Sequence, residues 1–371
     1  MPFSDCEYYP CELVALDSFL TYSGYDTPLL IHKEWHFRYT RLDNRPHIEF
    51  NRTSLEERLK QSGIRIARRH HPDVEFAWSR VSQILNAGHP VAILADTLIL
   101  EQHYYPGRGH HSGHYIILAG IEDGGESVCV IDPSWIVRFK GKMPISSLKS
   151  AWQSQAISGC NWVETLLPAA PGIIGSEDVC DVITENCEFM GKFASDGIGI
   201  AGLYHLLTEI ELLQSMDQET ASEFLGHLYE SVKTGVAERD GHGRYLNLVS
   251  KQTDTSELLR LGEHFKDLTN QWIIFRNLCL RGQKRAQKDM ASRLQKRLAR
   301  ILEMENEAFA MMTELLSRRQ GILNIANQKM IGFNWWLTIP GLGSNLVDVS
   351  IAIHDRASEG LGRVPSGVFL C

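Results

Sequence analysis

The hydrophobic pattern changes period about halfway along the chain. Up to about residue 165, short helical stretches alternate with apolar runs of strand length. From about residue 176 onward a helical period dominates. In the first part, Leu13, Leu16, Phe19 and Leu20 fall on one face of a helix over 10–22. Pro10 suits its first turn, where a missing N–H costs nothing, and Gly24 sits where a C-terminal cap belongs. Two further helices are predicted over 55–61 and 74–86, the second stopped by Gly88 and Pro90. Strands are predicted over 64–67, 91–95, 115–119 and 128–131. Glu122-Asp123-Gly124-Gly125 makes a hairpin turn between the last two.

The second part predicts helices over 178–190, 198–216, 219–234, 255–281 and 284–321. The last two would form a long antiparallel pair about Arg281-Gly282-Gln283, which also offers a homodimer surface. A short helix over 346–354 follows Trp335-Trp336 and the loop Pro340-Gly341-Leu342-Gly343. Between the two parts, Leu167-Pro168-Ala169-Ala170-Pro171-Gly172 reads as a linker. The expected organisation is an α+β domain over 1–166 and an all-α domain over 176–371.

Composition narrows the function classes. The chain has 371 residues, 43% apolar and 22% charged, as in an ordinary soluble globular protein. A net charge of −8 argues against a general nucleic-acid binder. No apolar run approaches the roughly 18 residues of a membrane span. The start, Met1-Pro2-Phe3-Ser4-Asp5-Cys6, lacks the basic and apolar regions of a secretory signal, so a cytoplasmic location is expected. The eight cysteines have no paired spacing and read as reduced thiols; without a C-x-x-C pair, no structural zinc is expected.

Three residues carry candidate chemistry. Cys11 would lie in the first turn of the first helix, where free N–H groups and the positive dipole end favour a thiolate. Those N–H groups could also hold a developing oxyanion. His114 opens an apolar strand in Gly113-His114-Tyr115-Ile116-Ile117-Leu118-Ala119-Gly120. Asp132 ends the next strand in Val130-Ile131-Asp132-Pro133, within plausible reach of the imidazole. Singly, each has a plain structural explanation: a small core thiol, a strand-end histidine, an Asp-Pro turn. Together they make a nucleophile, a general base and an orienting carboxylate, which is the equipment for acyl chemistry through a covalent thioester. Cys6 is a rival nucleophile, but its helix would run through Pro10 at a cost of about 3 kcal/mol.

The run from Cys11 to Gly24 resembles the nucleophile helix of papain-like bacterial cysteine peptidases, including the leader peptidases of bacteriocin exporters. The strand beginning at His114 and the Val130-Ile131-Asp132-Pro133 segment resemble their histidine strand and aspartate. The closer resemblance, over about residues 8–135, is to the butirosin biosynthesis protein H family. It rests on Gly88-His89-Pro90-Val91 before Asp96, a tyrosine-rich segment and the histidine strand. This resemblance implies a papain-like cysteine-protease fold in the N-terminal domain, followed by a helical domain. It implies acyl transfer: a carrier-protein phosphopantetheine arm delivers a thioester, Cys11 takes the acyl group, and a small-molecule amine releases it as an amide in antibiotic biosynthesis. His114 would be base and acid, and Asp132 the orienting group. No bound cofactor is implied; the partner is an acyl or peptidyl carrier protein. The peptidases place a glutamine before their cysteine as an oxyanion donor. Here that stretch is Asp5-Cys6-Glu7-Tyr8-Tyr9-Pro10, so a backbone N–H or a tyrosine would have to serve. The alternatives are a cysteine hydrolase, either peptidase or thioesterase, and a non-catalytic binding protein on the same fold.

Other signals are weaker. His103, His110, His111 and His114 cluster in a glycine-rich loop with no obvious carboxylate partner, so a polar loop beside the cleft is favoured over a metal site. Asp96 could line the cleft or bind an amine, or simply make a turn. Lys284, Arg285, Lys288, Arg293, Lys296, Arg297 and Arg300 form a basic helical stretch. It could dock an acidic carrier protein, or be a solvated surface balanced by acidic neighbours.

Overall fold

Helix α1 (Cys11–Tyr22) begins directly after Pro10, whose φ of −55° suits a helix start. It ends because Gly24 takes φ 84°: Gly24 N–H donates to the Thr21 carbonyl and Tyr25 N–H to that of Leu20. Helices α2 (Thr27–Ile31) and α3 (Leu55–Gln61) follow, the latter capped by Ser54 Oγ accepting from Glu57 N–H at 3.2 Å. Between them lies a hairpin of β1 (Arg38–Leu42) and β2 (Arg45–Glu49). Helix α4 (Val74–Asn86) is capped by Asp73, which accepts from the N–H groups of Glu75 and Phe76. The computed structural model describes residues 1, 9–43, 45–107, 109–134, 136–166, 179–192, 197–284 and 289–323.

The main sheet has six strands, all antiparallel. They are β3 (Arg65–His71), β4 (Val91–Asp96), β5 (Gly113–Glu122), β6 (Ser127–Asp132), β7 (Phe139–Pro144) and β8 (Cys160–Leu166), in the order β3-β8-β4-β5-β6-β7. A short helix α5 (Thr97–Leu100) follows β4, and α6 (Ile145–Trp152) follows β7. Ile93, Ile116, Leu118 and Val130 point to one face and pack with Ala77 and Val81 of α4 and Leu148 and Trp152 of α6. Ile117 and Ile131 point to the other and meet Ala15 of α1. Helices therefore cover both faces, as strands with two apolar sides require.

Helices α7 (Val179–Met190), α8 (Gly199–Leu212), α9 (Gln218–Thr253), α10 (Ser256–Lys284) and α11 (Met290–Leu323) complete the described residues. Helix α10 runs antiparallel to both neighbours. Arg276 Nε donates to the Tyr229 carbonyl of α9 at 3.2 Å, and His264 Nε2 to the Met304 carbonyl of α11 at 2.8 Å. The helical core also takes in Trp35, Phe37 and Phe50 from either side of the β1–β2 hairpin. Glu305 closes it by accepting from Arg239 Nε, Trp35 Nε1 and Trp272 Nε1. Residues 1–316 form one compact unit; of the separate segment 317–371, only the end of α11 is described.

The chain is thus mixed α/β, with a sheet-bearing N-terminal region and a helical C-terminal part. The main departure from the sequence pattern is α9, which runs unbroken through Gly235, Gly241 and Gly243. Those glycines look like helix breakers, yet they are sites of close packing: a Cβ on Gly235 would strike the Phe50 ring and one on Gly241 the His32 ring. Strands β1, β2, β7 and β8 and helix α6 were not predicted. The linker, the 346–354 helix and Trp335-Trp336 lie outside the described residues.

Candidate active site

Cys11 is the first residue of α1. The first intrahelical bond is Val14 N–H to the Pro10 carbonyl at 2.9 Å, so the amides of Cys11, Glu12 and Leu13 have no intrahelical acceptor. The Sγ atom is hydrogen-bonded to the His114 ring and accepts from the backbone N–H of Tyr115. On the other side of the imidazole, Nε2 lies 2.9 Å from Asp132 Oδ2, which leaves Nδ1 for the sulfur. Asp132 is fully buried, and its Oδ1 accepts the Ser134 N–H at 3.1 Å. The three predicted residues are therefore brought together in the order thiol, imidazole, carboxylate.

The sheet register makes this possible. From the turn inward, Glu122 pairs with Ser127, Ile121 with Val128 and Gly120 with Cys129. Beyond Ala119 the pairs become Leu118 with Val130 and Ile117 with Ile131. Ala119 is the extra residue of a β-bulge. Continuing the shifted register sets Asp132 opposite Ile116, on the face that His114 shares. In the unshifted register Asp132 would oppose Ile117 and point away.

Electrostatics favour a charged pair. Burial alone would raise the Cys11 pKa, but the His114 hydrogen bond and charge, the Tyr115 N–H and the Lys233 charge bring it below the ordinary thiol value. Burial also disfavours imidazolium. The hydrogen bonds from His114 to Asp132 and Cys11 outweigh it and raise His114 to about 9. Both shifts favour thiolate and imidazolium over thiol and imidazole.

The tyrosine-rich segment walls this pair. The Tyr105 ring packs against His114 with centroids 5.0 Å apart. Tyr104 stacks on Phe139 at 4.0 Å, with its buried hydroxyl beside the Asp132 carboxylate; burial and that negative charge push its phenol pKa up.

A second buried network holds the start of α1. The Tyr9 hydroxyl lies 2.6 Å from His32 Nε2, and His32 Nδ1 lies 2.9 Å from Glu238 Oε2 of α9. Arg58 and Asn51 also donate to Glu238, and burial is outweighed by the His32 and Arg58 charges, which hold its carboxyl at about 2. The Tyr9 hydroxyl is committed to His32, so it is not the missing oxyanion donor. Nothing in the sequence flags this network, because His32 and Glu238 are 206 positions apart.

The other signals resolve locally. Asp96 is fully buried and accepts from Leu98 N–H, Ser154 Oγ and His111 Nδ1, which makes it a clamp on the loop before β5. Among the described residues no group of three or more His, Cys, Asp or Glu is placed to hold a metal. In the basic stretch, Arg297 donates to Gln271, and Arg300 pairs with Glu303 and Glu307. Arg285, Lys288 and the rival Cys6 lie outside the described residues. Among the described residues no helix is long and apolar enough to cross a membrane.

Residues 11–133 match the family described as Butirosin biosynthesis protein H, N-terminal. The match opens on Cys11 and closes one residue past Asp132, so all three site residues fall inside it. No curated protein matches the chain.

Proposed function

We propose that the protein is an amide-forming acyltransferase that works through an acyl group carried on Cys11. What supports this reading is one juxtaposition: a helix-start thiol hydrogen-bonded to an imidazole that a buried carboxylate orients, within a segment of a biosynthetic family. The layout is that of a papain-like thiol site. The donor would be a thioester on the phosphopantetheine arm of an acyl or peptidyl carrier protein, and the acceptor a small-molecule amine.

The chemistry balances in two steps. The Cys11 thiolate attacks the thioester carbonyl; a new C–S bond forms, the donor C–S bond breaks, and the leaving thiolate takes the His114 proton. The helix-start amides face the developing oxyanion. The amine then attacks the acyl-enzyme, His114 accepts its proton, and the amide leaves as Cys11 returns to thiolate. Thioester exchange is nearly thermoneutral and amide formation is downhill, so ATP is not needed. Water competes with the amine, and the helical part, whose α9 brings Lys233 close to Cys11, would help exclude it.

The test is intact-mass detection of an acyl adduct after incubation with acyl-pantetheine, with and without amines. The wild type should gain the acyl mass, Cys11→Ala should not, and amines should discharge the adduct as amides. Free acid as the product with every amine would make it a hydrolase. No adduct on the wild type would point to a binding protein.

A further inference from the structure

The Tyr104 hydroxyl is buried beside the candidate site and makes no hydrogen bond among the described residues. A buried hydroxyl left without a partner is destabilising, so such a group calls for a role.

Its position is fixed from several sides. Tyr104 N–H donates to the Leu100 carbonyl at 3.0 Å, which holds the backbone just past α5. The ring stacks on Phe139 with centroids 4.0 Å apart and planes 5° apart. Phe139 is the direct cross-strand partner of Asp132 in the β6–β7 pair. Directly opposed residues share a face of the sheet, with Cβ atoms about 4.5–5.5 Å apart. Gly141, two residues on, makes room for the Phe139 ring: a Cβ there would stand 2.5 Å from it. The stack sets the phenol against the carboxylate, whose charge its hydroxyl feels.

The carboxylate can take another donor. Its Oδ2 lies 2.9 Å from His114 Nε2, and its Oδ1 accepts the Ser134 N–H at 3.1 Å. Each carboxylate oxygen has two lone pairs, so both keep acceptor capacity. Tyr104 offers a donor with no acceptor, next to an acceptor with capacity to spare.

We propose that Tyr104 is a positioning residue of the site: its hydroxyl donates to Asp132, fixes the carboxylate and takes up part of its charge. The inference rests on the acyl-enzyme reading above, in which His114 gives its proton to a leaving thiolate and later recovers one. A carboxylate without the phenol would hold that proton more tightly. A phenol sharing the charge keeps the proton transferable.

Tyr104→Phe keeps the ring and its stack on Phe139 and removes only the hydroxyl. The His114 titration midpoint would be followed by NMR in the full-length wild type, Tyr104→Phe, Asp132→Asn and the double variant. In Tyr104→Phe the midpoint should rise by about half a pH unit, because charge drawn off by the phenol returns to the imidazolium. With Asp132 already asparagine, Tyr104→Phe should shift it much less. In the single variant, the high-pH limb of thioester consumption should move up with the midpoint. An unchanged or lowered midpoint, or an equal shift in both backgrounds, would overturn the proposal, because a phenol that only packs leaves the imidazole's charge alone. A midpoint shift without any acyl adduct from thioesters would keep Tyr104 in its role and remove the acyl-transfer reading. An adduct without a midpoint shift would do the reverse.

Discussion

His114 and Asp132 share one face of the sheet because Ala119, between their strand pairs, has no partner in β6. The carboxylate then meets Nε2 at 2.9 Å, fully buried. Asp132→Asn keeps the shape and removes the charge. The His114 titration midpoint, followed by NMR, should fall well below 9, and Cys11 alkylation at neutral pH should slow by roughly tenfold or more. An unchanged midpoint would mean that Asp132 does not set the imidazole's charge.

Cys11 reactivity should depend on pH with two limbs. The thiolate forms as pH rises through a value below the ordinary thiol pKa, so alkylation should set in at lower pH than for an ordinary cysteine. Acyl transfer should fall again as His114 loses its proton near 9, because the leaving thiolate then lacks a proton donor. Rates of iodoacetamide labelling and of thioester consumption against pH would separate the limbs. A labelling rate that rises no earlier with pH than that of an ordinary thiol would contradict the charged pair.

The same shift has a stability consequence. The pKa of His114 is higher folded than unfolded, so its contribution is full below about 6.5 and lost as pH rises through about 9. The stability difference between wild type and Asp132→Asn should therefore shrink over that interval. Urea unfolding at several pH values would measure it.

Tyr9 anchors the start of α1 to α9 through His32 and Glu238. Tyr9→Phe removes one buried hydrogen bond and should cost about 1–2 kcal/mol. Glu238→Gln leaves Arg58 and His32 without their carboxylate and should cost more, about 3–5 kcal/mol. Both should slow Cys11 labelling in the folded protein, which loss of stability alone would not do.

Gly235 and Gly241 separate packing from positioning on one helix. An alanine at either overpacks, against Phe50 or His32 respectively, at a cost of about 1–3 kcal/mol. Only Gly241→Ala displaces the ring that holds Tyr9, so only it should also slow Cys11 labelling. Equal labelling rates in the two variants would argue against the anchor.

What the sequence by itself determined is local. Pro10, Gly24, Ser54 and Asp73 set the ends of α1, α3 and α4, because caps and turns act within a few residues. The helix-start cysteine, the strand-start histidine and the strand-end aspartate were legible for the same reason. The bulge at Ala119 was not, because register is decided by pairing between strands and by which face is buried. Nor was the move of Trp35, Phe37 and Phe50 into the helical core, or the reading of the α9 glycines as contacts instead of breaks. Those depend on what lies opposite, as does the pairing of His32 with Glu238, and only the folded chain decides it.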